Sequence, residues 1–450
     1  MGNKTTMNIL LISSDIIDAQ MAGPGIRYWE FAKHLSWHHD VVLLTPNRSS
    51  LSHPRFKIQQ QTSHRFVSAL RQADVVVTQG YVFPLAPLLT MNKPLVVDLY
   101  DPLPVELLEH HTHLPLSEAQ LSQSYCVART NVLLQRGDFF LYSHARQRDY
   151  WLGMLTAVGR VNHQQYRQHS DFSHLFGEVP YGIPDELPTL TRSALRGPDG
   201  PFTDSDTIVI WGGGLWKWFD PCSVIRAMES ISAVRHDIKL LFLGGKRAGS
   251  ENHSLNVAYS TEEAIALSTQ LELYNRSVFF HDTWVPYQER QDYLLEADMG
   301  ISTHFANLET RLAFRTRLLD YLWAELPIIT TRGDYLSDLV EQQQLGIVVD
   351  PTNVQQIHEA IVRLSDVHAF REHCRENIRR FRTQLLWSRV IEPLERFCEH
   401  PYQTGRHSTL QGWWQAGKFY GKTGKLLIQY RGYKKIVNKL RRLLRQTAIK

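Results

Sequence analysis

Short apolar runs closed by glycine, proline or a carboxylate recur along the chain, spaced to leave room for one helix between successive runs. In the first half they fall at residues 8–13, 39–46, 74–79, 94–101 and 138–143. In the second half they fall at 207–211, 238–245, 277–282, 298–303, 327–329 and 346–350. Continuous apolar runs of this length suit strands buried on both faces of a parallel sheet. The segments between them carry helical periodicity: Ile225, Met228 and Ile231 form one stripe, and Leu318, Leu319, Leu322 and Trp323 another. Strand, turn, helix, strand in regular succession predicts α/β structure, with two doubly wound sheets in tandem. A Pro/Gly hinge at 179–184 and a polar, loose stretch after it separate the halves. The expected domains are 1–185 and 207–385, joined by a linker at 186–206. Residues 386–400 form a helix expected to cross back to the first domain, and 401–450 form a tail.

A chain of 450 residues fits two cores better than one. Hydrophobic content of 43% and charged content of 21% are ordinary for a globular protein. No apolar run approaches the ~20 residues of a membrane span. The first strand begins almost at once, which leaves no room for a signal peptide, and a loose myristoylation pattern at residues 1–6 is read as coincidence. Cys126, Cys222, Cys374 and Cys398 are far apart and unpaired in spacing, which argues against a disulfide framework or zinc and for a reducing cytoplasm. The net charge of +4 hides a split. The last fifty residues hold 12 of the 49 Lys/Arg and none of the 45 Asp/Glu, so the first 400 carry 37 basic against 45 acidic groups. An acidic body with a basic tail suggests an anionic surface as partner.

Candidate chemistry gathers where strands end. Gly23 and Gly25 precede a helical pattern and either let the backbone come close to a ligand or simply make a tight turn. The spacing is not GxGxxG, so a nicotinamide fingerprint is absent. Asp98 and Asp101 cannot both project the same way from one strand. Asp101 is expected in the loop past the carboxyl end, where it either touches a substrate or caps the next helix. No acid or cysteine is read as completing a metal set with His110, His111 and His113, which are taken as an exposed helix end. Gly212, Gly213 and Gly214 follow a strand and free backbone N–H groups for an anion, with Lys217 as a nearby cation. Trp216, Trp218 and Phe219 beside them suit a lid, an acceptor platform or core. Residues 309–334 bring together a loop with Glu309, Arg311, Arg315 and Arg317, a helix whose N-terminus favours an anion, and a short strand.

This order resembles the GT-B fold, and more narrowly retaining glycosyltransferase family 4 (glycosyl transferases group 1), over about residues 7–400. Most specific is the string FHDTWVPYQERQDYLLEADMGISTHFANLETRLAFRTRLLDYLWAELPIITTRGD, which is similar to the family's donor-site signature. GPGIRYWEFAKHL and GGGLWKWFDP look like one subgroup. The resemblance implies two Rossmann-like domains facing a cleft. It places Asp320 on the acid that holds the donor's ribose hydroxyls. The family's first acid falls on Leu312, which cannot serve, and Glu309 is its candidate substitute. Ala313, Phe314 and Arg315 match the loop whose N–H groups meet the donor, Gly23 and Gly25 the loop facing the phosphates, Trp284 and Val285 the wall of the base, and Asp101 a substrate contact. The family grips the diphosphate with an Arg and a Lys in the loop after the second domain's first strand. Gly214 occupies the Arg position, so Lys217, Arg315 and Arg317 are candidates to replace that charge.

The expected activity is transfer of a sugar from a nucleotide-diphosphate-sugar to an acceptor hydroxyl with retention, in polysaccharide or glycolipid assembly. Asp101, Glu309 and Lys217 are the catalytic candidates. Gly23, Gly25, Gly213, Gly214, Trp284, Val285, Phe314, Arg315, Arg317 and Asp320 are the donor-binding set. The nucleotide sugar is a substrate, and neither cofactor nor metal is expected. Partners are the donor, a carbohydrate or lipid-linked acceptor, and an anionic membrane surface reached by a basic amphipathic helix at 434–444. Nucleic acid is not expected. Localisation is expected to be cytoplasmic, peripheral on the membrane's inner face. The alternative is a non-catalytic nucleotide- or sugar-binding module, since Leu312 and Gly214 lack expected groups.

Overall fold

The structure is a computed structural model that describes residues 6–80, 84–198, 200–244, 258–405 and 408–448, with side chains left undescribed at 258–260, 427 and 430–448. The chain divides into two compact units, Met1–Pro180 with Ile391–Lys450, and Tyr181–Val390.

The first unit runs β1 (Asn8–Ile12), α1 (Gly23–Leu35), β2 (Asp40–Thr45), β3 (Phe56–Gln60), α2 (Ser63–Gln72), β4 (Val75–Gln79), α3 (Leu85–Thr90), β5 (Leu95–Asp98), α4 (Leu103–His110), α5 (Leu116–Arg136), β6 (Phe139–Tyr142), α6 (Ala145–Ala157), α7 (His163–Gln168) and β7 (Phe176–Glu178). Its strands pair in parallel in the order β3-β2-β1-β4-β5-β6-β7. The order reverses between β1 and β4, which makes the loops after these strands the switch point where such sheets receive ligands. The predicted strands form, because their apolar residues are buried on both faces. Two further strands have no such run. In β3, FKIQQ is an edge strand with one buried residue, and β7 is three residues long.

The second unit runs β8 (Thr207–Trp211), α8 (Pro221–Ser232), β9 (Ile238–Phe242), α9 (Ala258–Gln270), β10 (Val278–Phe280), α10 (Arg290–Leu295), β11 (Met299–Ser302), α11 (Leu308–Leu312), α12 (Thr316–Trp323), β12 (Ile328–Thr331), α13 (Tyr335–Gln342), β13 (Gly346–Val349), α14 (Val354–Asp366), α15 (His368–Arg382) and α16 (Trp387–Val390). The sheet is again all parallel, in the order β10-β9-β8-β11-β12-β13, and it reverses between β8 and β11. The stretch expected as a loose linker is instead strapped to this unit. Asp292 of α10 accepts from Thr191 N (2.6 Å) and Thr191 Oγ1 (2.7 Å), Glu296 accepts from Ala194 N and Leu195 N, and Phe202 is buried against Phe279. Its polar composition reflects this carboxylate capture, not disorder.

The chain then forms α17 (Glu392–Glu399) and the 40-residue α18 (Thr409–Ala448), both grouped with the first unit. The start of α18 is part of that unit's core. Ala416 and Phe419 are buried in it, Phe419 meets Tyr125 of α5, and any side chain at Gly412 would strike the carbonyl of Leu89 in α3. The helix expected at 434–444 lies within α18, but its side chains fall outside the described residues. No helix among the described residues is long and apolar enough to cross a membrane.

Candidate functional site

In the second unit, β8 and β11 lie side by side, and the loops leaving their carboxyl ends meet at the sheet's point of reversal. After β8 come Gly212, Gly213 and Gly214. Gly213 has φ of +86°, a left-handed conformation that glycine adopts without strain. Two residues of α12, one turn apart, hold this loop. Arg317 donates from Nε to the Gly212 carbonyl, from Nη2 to the Gly214 carbonyl (2.6 Å) and from Nη1 to Ser302 Oγ (3.1 Å) at the end of β11. Its guanidinium lies over the rings of Trp211 and Phe219, 4.7 and 4.2 Å from their centroids. The Tyr321 hydroxyl accepts from Gly212 N (2.8 Å) and lies 3.0 and 2.9 Å from the Ile210 and Ile301 carbonyls. Gly300 makes room for it, since a Cβ there would enter the Tyr321 ring.

The chain after β11 builds a buried charge network. Glu309, in the first turn of α11, is 2% exposed, and both its oxygens are taken by Arg315, at 2.9 and 2.6 Å. Arg315 Nε lies 3.8 Å from Asp334, whose carboxylate is 3.1 Å from His304 Nε2 and caps α13 through Ser337 N (2.6 Å). Burial pushes the Asp334 carboxyl up, but the His304 contact and the Arg315 charge outweigh it and leave the group below its ordinary range. Sequence reasoning does not find His304 and Asp334, because they are 30 residues apart and meet only through adjacent β11 and β12. Ser302 and Tyr321 are missed for the same reason.

The predicted residues separate into classes. Arg311 is exposed. Glu309 and Arg315 neutralise one another in the interior. Arg317 spends its donors on the protein, so neither Arg315 nor Arg317 stands free as a direct phosphate ligand. The N–H of Ala313 is taken by the Glu309 carbonyl (2.9 Å), which removes it from the expected donor-facing set. Phe314 is buried, its ring stacked 6.3 Å from Tyr335. Asp320 is partly exposed and accepts from Arg290 Nε at 2.9 Å, and that guanidinium rests on Tyr287 and Trp323. Trp284 bridges its backbone to Gly244, and Gly244 abuts Gly213, so the region after β10 adjoins the glycine loop; Val285 is buried. Lys217 is half-buried. Phe219 belongs to the core, and Trp216 and Trp218 stack 5.9 Å apart against it, which favours the core reading of the three aromatics.

The first unit has its own cluster. Gly23 and Gly25 are the first turn of α1, not a turn before it, and Gly25 lets that helix approach the Ile16 carbonyl. Asp98 faces inward in a buried pair with Arg27, at 2.8 and 3.0 Å. Asp101 lies beyond β5, half-buried, and accepts from Gln79 Nε2 (3.3 Å), while Gln79 Oε1 accepts from Ser14 (2.8 Å). The ends of β1, β4 and β5 are thereby linked. The N-cap position of α4 is held by Pro102 and not by Asp101. His110 and His111 are buried, contrary to the exposed helix end expected, and only His113 is exposed. Burial and the neighbouring His110 and His113 pull His111 below its usual range. Among the described residues no group of His, Cys, Asp and Glu is placed to hold a metal ion.

Residues 206–366 match the family model of glycosyl transferases group 1, a segment lying wholly in the second unit. Comparison with curated protein sequences gives no match. Solved structures share the fold. WaaG, a glycosyltransferase involved in lipopolysaccharide biosynthesis, aligns with a TM-score of 0.58 at 14% identity, covering 87% of this chain and 99% of its own. Anabaena HepE in complex with UDP and glucose gives 0.60 at 13%, covering 87% and 98%. A UDP-forming α,α-trehalose-phosphate synthase from Burkholderia xenovorans, in complex with glucose-6-phosphate, gives 0.58 at 12%, covering 87% and 100%. The fold is GT-B, and the group 1 resemblance is matched over residues 206–366.

Proposed function

We propose that this chain, whose second unit carries the group 1 glycosyl transferase match, transfers a sugar from a nucleotide-diphosphate-sugar to an acceptor hydroxyl with retention at the anomeric carbon. The observation that carries this reading is the glycine loop at the β8/β11 reversal. It lies at the carboxyl edge of a parallel sheet, inside the matched segment, with Asp320 on the helix that holds the loop and the region after β10 adjoining it. Open α/β sheets bind ligands there. The second unit serves as the donor side, with Asp320 reaching the ribose hydroxyls once Arg290 shares it. The first unit serves as the acceptor side, with Asp101 at the acceptor. Uridine nucleotides head the list of donors, since two of the structural neighbours carry UDP in their descriptions. Retention in this reading rests on the sequence resemblance to the retaining family, and Glu309, locked to Arg315, is not cast as a nucleophile. The leaving diphosphate then assists removal of the acceptor proton.

Calorimetric titration with UDP, GDP and ADP tests the donor side. Asp320→Ala is expected to weaken the nucleotide that binds about tenfold, ~1.4 kcal/mol. Unchanged affinity removes Asp320 from the site.

A lipid-linked acceptor accords with the exposed face of α18. Leu410, Trp413, Trp414 and Ile428 are at least half exposed, and Lys418, Lys422 and Lys425 interleave with them. Aromatic and basic residues together suit an anionic headgroup surface. Truncation at residue 400 would remove Ala416 and Phe419 from the core, so Trp413→Ala with Trp414→Ala is the cleaner test. The pair is expected to abolish co-sedimentation with phosphatidylglycerol vesicles, and retained binding removes this partner.

A further inference from the structure

The loop at 212–214 carries a feature that its glycines alone do not explain. Arg317 is 7% exposed, and among the described residues no carboxylate stands within ion-pair distance of it. Its neighbours Arg315 and Arg290 do have acidic partners, in Glu309 and Asp320. A buried cation without a counter-ion is costly unless something anionic completes it. Every nitrogen of the guanidinium is engaged by the Gly212 and Gly214 carbonyls and Ser302 Oγ, so the side chain cannot itself reach a ligand without releasing the loop.

The direction of those bonds matters. In a trans peptide the C=O and N–H point opposite ways. Carbonyls of Gly212 and Gly214 turned toward Arg317 set the N–H groups of Gly213 and Leu215 pointing away from it. Those two N–H groups, and that of Gly214, make no hydrogen bond among the described residues. Leu215 is itself 1% exposed, so its N–H lies in a position where an unmet donor is uncommon. Consecutive free N–H groups, with a left-handed glycine among them, form a concavity for an anion. A cation bonded to the carbonyl end of the same peptides polarises them in the sense that strengthens their N–H donors.

We infer that Arg317 is the positioning residue of a diphosphate site in the 212–215 loop, supplying its positive charge from behind, through the peptide groups of Gly212 and Gly214, instead of by contact. The inference rests on the nucleotide-sugar reading and deepens it. The cation that a loop side chain at Gly214 would otherwise provide is relocated to α12. Burial pulls the Arg317 guanidinium down to about 10, so it remains charged at neutral pH but in an environment that lacks its complement.

The test is titration of the full chain by calorimetry with inorganic pyrophosphate, with UDP, GDP and ADP, and with the three parent nucleosides. Variants are Arg317→Met, which removes charge and donors; Arg317→Lys, which keeps charge; and Ser302→Ala, which removes only the third anchor. Wild type is expected to bind pyrophosphate. Arg317→Met is expected to lose at least tenfold for pyrophosphate and for the bound nucleoside diphosphate, with the matching nucleoside within twofold of wild type. Arg317→Lys should recover part of that loss, and Ser302→Ala should lose only a few-fold. A purely structural role would weaken nucleoside and diphosphate equally and give no recovery with Lys; either outcome overturns the inference. If wild type binds pyrophosphate but no nucleotide, the nucleotide-sugar reading falls, and the Arg317 variants against pyrophosphate still decide this one. If wild type binds neither, both fall.

Discussion

Glu309 and Arg315 illustrate what a residue's chemistry can and cannot disclose from sequence. An acid and three basic side chains within nine residues read naturally as a charged loop offered to a ligand. The structure folds Glu309 and Arg315 against one another in the interior, and Asp334 and His304 complete the group from two other loops. Nothing in the spacing distinguishes a cation aimed outward from one paired inward: Glu309 is near Arg315 in sequence, but the burial of the pair is set by Asp334 and His304 packing from other loops. Glu309→Gln is expected to lower stability by about 3 kcal/mol in urea denaturation, as removal of one member of a buried pair does. A loss of turnover with stability intact would instead mark Glu309 as a group that touches substrate. Asp334 makes the network pH-dependent. Its carboxyl is lowered in the fold relative to the ordinary value of 3.8, so it stabilises the fold above that pH, and the contribution fades as pH falls through the lower folded value. The stability gap between wild type and Asp334→Asn, measured by denaturation from pH 6 down to pH 3, should therefore narrow at the acid end. A gap that widens would contradict the assignment.

At the scale of elements, α12 shows why the fold was legible and the site only partly so. Its apolar stripe follows from periodicity, and Leu318, Leu319, Leu322 and Trp323 are all buried as expected. Arg317 and Tyr321 stand four residues apart and so share a helical face, but polar residues on a helix usually face solvent. Here they turn toward the sheet edge, because the glycine loop there presents carbonyls and an N–H that need partners. Tyr321→Phe would leave these groups unmet, at a cost of about 1–3 kcal/mol. Gly300→Ala would drive a methyl into the Tyr321 ring, costing a similar ~1–3 kcal/mol by overpacking. Thermal denaturation checks both. The tail helix α18 gives the complementary case. Composition reveals its basic and aromatic character, but not that its first turns close the core of the first unit. Phe419→Ala is expected to destabilise by about 3 kcal/mol or more, whereas Trp413→Ala should stay within ~0.5 kcal/mol.

Over the whole molecule, both sheets were readable because parallel strands buried on two faces leave continuous apolar runs. The strands without such runs, edge β3 and short β7, were not. The residues at the switch points were readable as types, since glycines, carboxylates and arginines after strands carry a recognised signature. Their partners were not, because each is set by which strands become neighbours. The group 1 match lies within the second unit, and the GT-B likeness extends over both units at low identity. The proposed activity therefore stands or falls on chemistry at the β8/β11 reversal. It is tested most directly by measuring release of nucleoside diphosphate from a panel of UDP-, GDP- and ADP-sugars, with wild type and Asp320→Ala side by side. Wild type is expected to cleave donors of one nucleotide class, and Asp320→Ala to cleave them markedly less. Saturable binding without any release would contradict it in favour of a non-catalytic binding module, and a panel that neither binds nor is cleaved would contradict it outright.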